Sequence, residues 1–254
     1  TDPALHLLGA LRDLEPGEHI TAARFLGRRA YLSTMRFTDP LLTVDLADPA
    51  APRLASALKV PGMAAYLHPM DADHLIAIGT GSQSGAGWLN NVQLQIYDVT
   101  APEAPRNLHN TVLSADWSYS SALYDHKAFT YFTTTVGGAP LNVLAFPITV
   151  YNSASMCQSY GCYHDGVRVY AVSVDGGFRY LGDVYHDTFA GAQPAWWGLQ
   201  GVQRTTIVGP DAAGATYVVT YSQLGVVITS LAAFSSVPPG ATTPAAGTVS
   251  FPQP

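Results

Sequence analysis

One nine-residue segment occurs twice in this chain, and this repeat constrains the fold more than any other feature of the sequence. Each copy carries an aspartate followed by two prolines three positions apart, and the copies lie 53 positions apart: Asp45, Pro49 and Pro52, then Asp98, Pro102 and Pro105. Proline fixes φ and donates no backbone N–H, so a pair with this spacing favours a turn. An apolar run precedes each aspartate and a further run follows each second proline. The pattern predicts a strand, a turn and another strand, repeated with a fixed period.

With this register, the chain divides into four units that each hold about four short runs rich in Val, Ile, Tyr, Thr and Phe. The units are residues 20–62, 63–114, 115–188 and 201–239. In the first unit we expect strands at 22–26, 30–36, 41–46 and 54–60; in the last, at 203–208, 216–221, 225–231 and 234–237. No segment keeps a 3.6-residue period over three turns, so little helix is expected. The sequence predicts an all-β chain with four β-propeller blades of four antiparallel strands.

The two ends of the chain lie outside the four predicted blades. Residues 1–19 contain the run Leu5–Leu11, which precedes the first unit as a fourth strand would and is expected to be the outer strand of a preceding or closing blade. Either it completes another blade as a clasp, or the chain is part of a larger propeller of about eight blades. Because the chain starts at Thr1, we expect a preceding segment to have been removed or left out. Residues 241–254 form a Pro/Ala/Gly-rich tail with room for one short strand at Thr248–Phe251.

Charge and hydropathy narrow the classes of partner. Apolar residues make up 48% of the chain and charged residues 12%, while 23 Gly and 18 Pro suit many tight turns. A formal net charge of -6 without a Lys/Arg cluster argues against a nucleic-acid partner, because affinity for phosphates depends on concentrated positive charge. Every apolar run is interrupted before the roughly 18 residues that a membrane helix requires, so no membrane-spanning helix is expected.

The two cysteines, Cys157 and Cys162, lie five positions apart in a segment that reads as a loop. We expect a local disulfide, which would contribute roughly 2 kcal/mol in the chain-entropy model. Two reduced thiols are the alternative. A zinc site is less favoured. Tetrahedral sites take four ligands, whereas the two sulfurs and the nearby His164 supply three.

Four runs in the sequence are specific enough to indicate a family: Arg24–Leu32, Thr38–Leu46, Tyr66–Pro69 and Ala122–Phe129. They resemble the bacterial and archaeal family of secreted proteins that carry a C-terminal β-propeller distantly related to WD-type repeats. The resemblance extends over most of residues 5–231 and implies export and a propeller, without an established activity. The segment Cys157–Cys162 and the small, polar run Gly79–Gly85 depart from the pattern.

Histidines and a carboxylate occupy similar early positions in several units and are candidates for a metal site. His68 and His126 lie at equivalent early positions in the second and third units. Asp125 precedes His126 directly, and His186 lies near the end of the third unit. Neutral imidazoles with carboxylates are ligands for zinc, copper or nickel. The alternative is structural, since buried Asp and His side chains in WD-type blades hydrogen-bond turns together. Catalysis by Asp125 with His126 would require both to lie in a turn, because neighbours on a strand point to opposite faces.

Trp196 and Trp197 are candidates for contact with a ligand or partner, together with Arg204 in the fourth unit. Paired indoles in a Gly/Pro-rich connection can stack on a sugar ring or bind a protein, although burial of both rings is the alternative.

No nucleophile elbow, metalloprotease helix or phosphate loop is present in the sequence. We therefore expect a secreted, periplasmic or cell-surface binding or scaffold module rather than an enzyme, with the channel mouth and the long loops of the third unit as contact surface. Its partner would be a protein or a carbohydrate, and it would pair with a missing N-terminal part if the propeller is larger. The alternative is a metal-binding protein or metal-dependent enzyme that uses a divalent ion at His68 and His126.

Overall fold

A computed structural model describes residues 6–34, 38–84, 89–113, 117–136, 138–152, 162–186, 189, 202–236 and 243–251. The chain forms two compact units, one made of residues 1–89 and 93–112 and the other of residues 90–92 and 113–254. Both units are built from antiparallel strands. Over the described residues, no helix is long and apolar enough to cross a membrane.

The first unit contains two four-stranded sheets, each a simple antiparallel meander. The strands of the first sheet are β1 (Ile20–Leu26), β2 (Arg29–Thr34), β3 (Thr38–Asp45) and β4 (Arg53–Pro61). Those of the second are β5 (Met63–Pro69), β6 (His74–Gly81), β7 (Asn91–Asp98) and β8 (Arg106–Val112). The tight turn between β1 and β2 places Gly27 at φ 59°, a left-handed conformation that residues with a Cβ rarely adopt.

One apolar cluster joins the two sheets of the first unit, with Tyr31, Leu67 and Leu75 among its fully buried members. Strand β7 is buried along its whole length although it carries Gln93 and Gln95. Both amides donate Nε2–H to the Pro61 carbonyl, at 2.9 and 3.2 Å. The two glutamines therefore tie the end of β4 to the middle of the neighbouring sheet.

The repeated segment forms the same turn in both sheets. Oδ1 of Asp45 accepts the Ala47 N–H at 2.8 Å, and Oδ1 of Asp98 accepts the Thr100 N–H at 3.0 Å. The other carboxylate oxygen accepts from the arginine that follows the second proline, Arg53 in one copy and Arg106 in the other. The aspartate that recurs after 53 residues thus closes a turn and pairs with the first residue of the next strand.

A β-bulge follows the same period. The pairing of β3 with β4 shifts between Thr43 and Val44, and the pairing of β7 with β8 shifts between Ile96 and Tyr97. Each bulge leaves one extra residue on the outer strand and increases its local twist. Since the bulges lie just before the aspartate turns, turn and bulge form one repeated structural element.

The second unit also contains two sheets. One has β9 (Trp117–Tyr119), β10 (Thr130–Val136), β11 (Ala139–Asn152), β12 (Cys162–Ser173) and β13 (Gly177–Tyr185); the other has β14 (Arg204–Val208), β15 (Tyr217–Tyr221), β16 (Gly225–Ser230) and β17 (Gly247–Ser250). Strands β10–β13 form the meander, and β9 pairs with the far end of the 14-residue strand β11. Three short 3₁₀ segments complete the described elements: Ser121–Leu123, His126–Ala128 and Leu231–Ser236. An apolar cluster that includes Val143, Val169 and Val218 joins the two sheets.

The prediction of an all-β chain built from four-stranded antiparallel sheets is confirmed, and the strand bounds of the first unit agree closely with those expected. One predicted strand is wrong. The segment expected as a strand at 234–237 begins inside a 3₁₀ segment, because Leu231 and Phe234 are three residues apart and both buried, which matches the 3₁₀ period. Strand β17 takes the fourth position of that sheet instead.

The run Leu5–Leu11 stays a prediction as the outer strand of a preceding or closing blade; its described residues, 6–11, pair with no described strand of this chain. Leu7 and Leu8 are 80% and 71% exposed. Gly9 lies so close to the Pro49 carbonyl that a Cβ there would approach its oxygen to 2.5 Å. Gly9 therefore packs closely against the first aspartate turn.

Candidate functional site

The added strand β9 presents two aromatic rings on the same side. Successive residues of a strand point to opposite faces, and here Ser118 is buried while Trp117 and Tyr119 are 38% and 37% exposed. The Ser118 hydroxyl donates to Oδ1 of Asn91 and accepts the Val92 N–H, both at 2.9 Å. Because its central residue is held on both sides, β9 fixes the two rings in position at the surface.

A third aromatic ring follows directly in the chain. Ser120 is buried and accepts the Ala122 N–H, which starts the 3₁₀ segment Ser121–Leu123. This segment buries Ala122 and Leu123 and ends at Tyr124, whose side chain is 83% exposed. The turn therefore buries its small and aliphatic residues and leaves the tyrosine outside.

These three rings form a continuous row, called here the aromatic row: Trp117, Tyr119 and Tyr124. The ring centroids of Trp117 and Tyr119 are 6.1 Å apart with planes 3° from parallel, and those of Tyr119 and Tyr124 are 6.1 Å apart at 29°. Burial, and secondly the neighbouring Tyr124, raises the pKa of Tyr119, so its hydroxyl stays protonated at neutral pH. The row combines partly exposed aromatic side chains with two tyrosine hydroxyl groups.

An ion pair adjoins the row. Asp125 follows Tyr124 and caps the 3₁₀ segment His126–Ala128 by accepting the Lys127 N–H at 2.9 Å. Its other oxygen accepts from the guanidinium of Arg204 at the start of β14. The backbone hydrogen bond from Lys127, and then the Arg204 charge, hold the pKa of Asp125 below its usual value. Both side chains remain about one-third exposed, at 35% and 32%.

The sequence predicted Asp125 and Arg204 as site residues in two separate roles, and the structure brings them together as this pair. His126 and Lys127 are exposed beside it. Tyr221, which lies opposite Arg204 in the pairing of β14 with β15, is 42% exposed and adds a further aromatic side chain. The aromatic row itself was missed. The available signal was the alternation of aromatic and small residues in Trp117–Tyr119, followed by Tyr124.

His186 is buried, and both of its ring nitrogens have hydroxyl partners. Nδ1 lies 2.8 Å from the Ser222 hydroxyl and Nε2 lies 2.7 Å from the Thr220 hydroxyl. The ring also packs on Phe189, with centroids 5.3 Å apart. This arrangement corresponds to the structural role that the sequence offered as the alternative to metal ligation.

His68 lies on β5 in the first unit. Its Nδ1 is 3.3 Å from the Tyr66 hydroxyl, and the Arg24 guanidinium lies 6.0 Å from the centre of the Tyr66 ring. Burial first, and then the Arg24 charge, lower the pKa of His68 to about 4. At neutral pH the imidazole is therefore uncharged.

Across the described residues, no three His, Cys, Asp or Glu side chains gather where they could hold a metal ion. The assignment of a metal to His68, His126, Asp125 and His186 stays a prediction. Elemental analysis of the protein and of the His68→Ala, His126→Ala double variant tests it. Trp196, Trp197 and Cys157 lie outside the described residues, as does the side chain of Cys162, so the contact role of the two tryptophans and the disulfide also stay predictions.

A cleft of about 650 Å³ lies in the first unit at the end of the sheets that carries the aspartate turns. Arg28, Arg29, Asp45 and Asp73 contribute its charges. Arg28 donates to the Ala47 carbonyl and Arg29 donates to the Val99 carbonyl at 2.8 Å. Both guanidinium groups thus donate to backbone oxygens of neighbouring loops. A structural role explains these two arginines.

The structure reveals a buried charged pair that the sequence analysis missed. Arg168 on β12 and Asp183 on β13 are cross-strand neighbours joined by two hydrogen bonds of 2.8 and 2.7 Å. The Tyr185 hydroxyl donates to the same carboxylate at 2.7 Å, and the Arg168 guanidinium lies 5.4 Å from the centre of the Tyr180 ring. The available signal was one charge in each of two apolar strands, at Val167–Val169 and Gly182–Val184.

Antiparallel meander sheets that follow one another along the chain define a β-sheet repeat protein. Residues 1–233 match the family described as beta propeller domain, and the chain belongs to this family.

Two curated relatives match about half of this chain. An uncharacterized protein of Methanocaldococcus jannaschii is 33% identical over 136 residues, which is 52% of this chain and 21% of the relative. An uncharacterized protein of Archaeoglobus fulgidus is 32% identical over 128 residues, which is 50% of this chain and 19% of the relative. The matched region therefore spans about a fifth of the length of each relative.

Two solved structures show low similarity to this chain. The N-terminal domain of Nup159 is 13% identical with a TM-score of 0.26, covering 83% of this chain and 60% of that one. The Cps50 (Swd1) beta-propeller domain of Myceliophteria thermophila is 12% identical with a TM-score of 0.25, covering 92% of this chain and 74% of that one.

Proposed function

We propose that this chain is an exported binding module and that its contact surface consists of the aromatic row with the Asp125–Arg204 pair. The observation that carries this proposal is the exposure of three neighbouring rings whose backbone is held by strand pairing and by caps. Exposed apolar area costs free energy in water at about 25 cal/mol per Å². Clusters of exposed large apolar side chains on folded proteins mark interaction sites more often than scattered ones do.

The residue types support the same proposal. Tyr, Trp and Arg are enriched among the residues that carry most of the binding energy at interfaces. Tyrosine and tryptophan bring large contact areas and lose little conformational freedom on binding. Here the row is already fixed before a partner arrives, because Ser118 and Ser120 are both buried and hydrogen-bonded. A preorganised backbone lowers the ordering cost of binding.

Export and the wider assembly belong to the proposal as well. The family resemblance noted in the sequence implies secretion, which places the surface where it meets extracellular or cell-envelope material. Since the relatives are several times longer than the region they share with this chain, we propose that the module acts within a longer polypeptide. Its role there is to bind, and the chemistry of any neighbouring domain is separate.

The test uses envelope material of the source cell as the probe. Purified protein is mixed with the envelope preparation, and the fraction that sediments with it is measured. The variant carries Trp117→Ala and Tyr124→Ala, and the matched control carries Phe25→Ala, an aromatic residue that is 68% exposed in the first unit. We expect the control to bind like the wild type and the double variant to bind at least about tenfold more weakly, which corresponds to about 1.4 kcal/mol. Equal binding by all three proteins, with unchanged melting temperatures, would contradict the proposal.

A further inference from the structure

We infer that the outer face of the sheet β14–β17 is an interface on which a further four-stranded sheet of the same polypeptide packs. The outer face is the side of this sheet that points away from the apolar cluster around Val218. Its main apolar members lie on all four strands: Val208, Val219, Tyr221, Val226, Ile228 and Val249. Of the proposed function, the inference rests on the longer polypeptide and does not involve the aromatic row.

Burial alternates residue by residue along β14, β15 and β16. In β16, Val227 is buried, whereas Val226 and Ile228 on either side of it are partly exposed. Since neighbours on a strand point to opposite faces, one side of these three strands is buried and the other is open to solvent. The strand pairings contain no register shift, so Tyr221, Val226 and Val249 lie in one row across the open side.

The open side of the sheet is more apolar than its buried side. Threonine occupies three buried positions, Thr205, Thr220 and Thr229. The open side carries tyrosine or aliphatic side chains along the whole of β15 and most of β16. Its members at the sheet margins are 53%, 42% and 56% exposed in Val208, Tyr221 and Val249.

This distribution is the reverse of the usual one. An antiparallel sheet with one solvated face normally places polar side chains on that face. Strand propensity does not explain the difference, because threonine and valine both favour strands. Contiguous exposed apolar side chains mark interaction sites. The outer face is therefore built to be covered.

The cover that fits is another sheet. Within each unit of this chain, two four-stranded sheets pack against each other through a shared aliphatic cluster, and the outer face carries the same residue types. The chain belongs to a propeller family, and propeller sheets are arranged radially, so each has a neighbour on either side. Arg204 lies at a corner of the outer face and is paired with Asp125, so a sheet packed there buries no unpaired charge from it.

The curated relatives favour the same polypeptide as the source of this sheet. The matched region is 21% and 19% of their lengths, so about four-fifths of each relative lies outside it. A sheet carried by the same chain meets the outer face at a high effective concentration, whereas a sheet of another molecule has to be recruited from solution.

The test compares this chain with the native polypeptide of the source cell, each carrying Ile228→Cys, and measures the rate of reaction with a maleimide. Ala213→Cys, at an exposed position in the turn after β14, is the matched control, and the wild type corrects for Cys157 and Cys162. We expect Ile228→Cys to react at least about tenfold more slowly in the native polypeptide, because the reaction there requires local opening of the interface. Ala213→Cys should react equally in both proteins.

Thermal melts of two serine variants give a second readout. Val226→Ser and Val227→Ser change neighbouring residues that point to opposite faces of β16. In this chain by itself, Val227→Ser should lower the melting temperature and Val226→Ser should have little effect. In the native polypeptide both should lower it, because both side chains are then packed.

Four results would overturn the inference: equal labelling of Ile228→Cys in both proteins, slow labelling already in this chain alone, a native polypeptide no longer than this chain, or protection that disappears on dilution as a dimer dissociates. The last result would identify a second copy as the occupant. The envelope experiment fails separately. If row variants lose envelope binding while Ile228→Cys is unprotected, the proposed contact surface stands; if Ile228→Cys is protected while row variants bind normally, that surface fails and the sheet interface stands.

Discussion

Arg168 and Asp183 face each other across β12 and β13 and share two hydrogen bonds inside the second unit, where the Asp183 side chain is 1% exposed. Tyr185 adds a third hydrogen bond to the same carboxylate. Burial of two charges is favourable when their geometry is good and their remaining hydrogen-bonding groups are satisfied, and both conditions are met here.

Removing one partner of this pair should destabilise the protein strongly. We expect Asp183→Ala to lower the free energy of unfolding by about 3 to 5 kcal/mol, because it leaves the Arg168 charge buried without a partner. The combined variant Arg168→Met, Asp183→Leu should recover most of this loss. Urea unfolding measures both. Arg53→Ala, in an exposed pair, serves as control and should have little effect. A similar loss in Asp183→Ala and in the control would contradict the assigned role.

The aspartate of the second repeated turn should make stability depend on pH in the acid range. Hydrogen bonds from the Thr100 hydroxyl and N–H, and then from Arg106, lower the pKa of Asp98 to about 2. Its value in the unfolded chain is about 3.9, so the unfolded state binds the proton first as the pH falls. The stabilisation by Asp98 is therefore complete above about pH 4 and is lost as the pH falls to about 2.

Denaturant midpoints recorded between pH 5 and pH 2 check this dependence on Asp98. Asp98→Asn should be less stable than the wild type at pH 5, and the two curves should converge towards pH 2. Glu103→Gln, which changes an exposed carboxylate in the same turn as Asp98, should run parallel to the wild type. A constant difference between Asp98→Asn and the wild type over the whole range would show that the carboxylate charge does not matter.

His68 should add a second pH dependence at higher pH. Burial, and then Arg24, lower the pKa of His68 to about 4, whereas an unfolded histidine titrates near about 6.5. Between these values the unfolded chain binds a proton that the folded chain does not, so stability falls as the pH decreases from about 6.5 to about 4. His68→Phe should flatten this part of the profile in thermal melts, while His126→Ala, at an exposed position, should leave it unchanged. An unaltered slope in His68→Phe would reject this account.

Gly81 and Gln93 should show coupled effects on stability. A Cβ on Gly81 would lie 2.1 Å from Oε1 of Gln93, so the buried amide fills the space that glycine leaves open. Gly81→Ala should therefore destabilise the protein by roughly 1 to 3 kcal/mol through overpacking. In the Gly81→Ala, Gln93→Ala double variant the total loss should be smaller than the sum of the single losses, as a double-mutant cycle would measure.

Gly247→Ala is the matched control for this cycle, since among the described residues no atom beyond its chain neighbours lies within 4 Å of the position that its Cβ would take. It should behave like the wild type. Strictly additive effects of the Gly81 and Gln93 changes would mean that the two positions do not compete for the same space.

The fold could be predicted from the sequence wherever residues close together in the chain determine the local structure. The aspartate turns were read correctly because two prolines and an aspartate define such a turn with few residues, and the 53-residue period placed them in register. Strands β1–β4 followed from apolar runs bounded by Gly and Pro. The segment 234–237 was misread as a strand, because a short apolar run is consistent with either a strand or a 3₁₀ segment.

The candidate site was harder to predict from the sequence than the fold. Asp125 and Arg204 were each singled out, yet they are 79 residues apart in the chain and nothing local indicates that they pair. The rings of the aromatic row occur within eight residues, but their exposure depends on Ser118 being held inside the sheet by Asn91 and Val92. Aromatic residues in a β protein are more often buried, so residue type by itself pointed to the core.

The sequence by itself determined the repeated strand, bulge and aspartate turn, because these depend on residues within a short stretch whose backbone preferences and hydrogen bonds act locally. The tertiary structure alone decided which charges are paired, which histidine is enclosed by hydroxyl groups and which aromatic rings reach the surface. These outcomes depend on contacts between residues far apart in the chain, and their free energies come from burial, which a linear pattern does not specify.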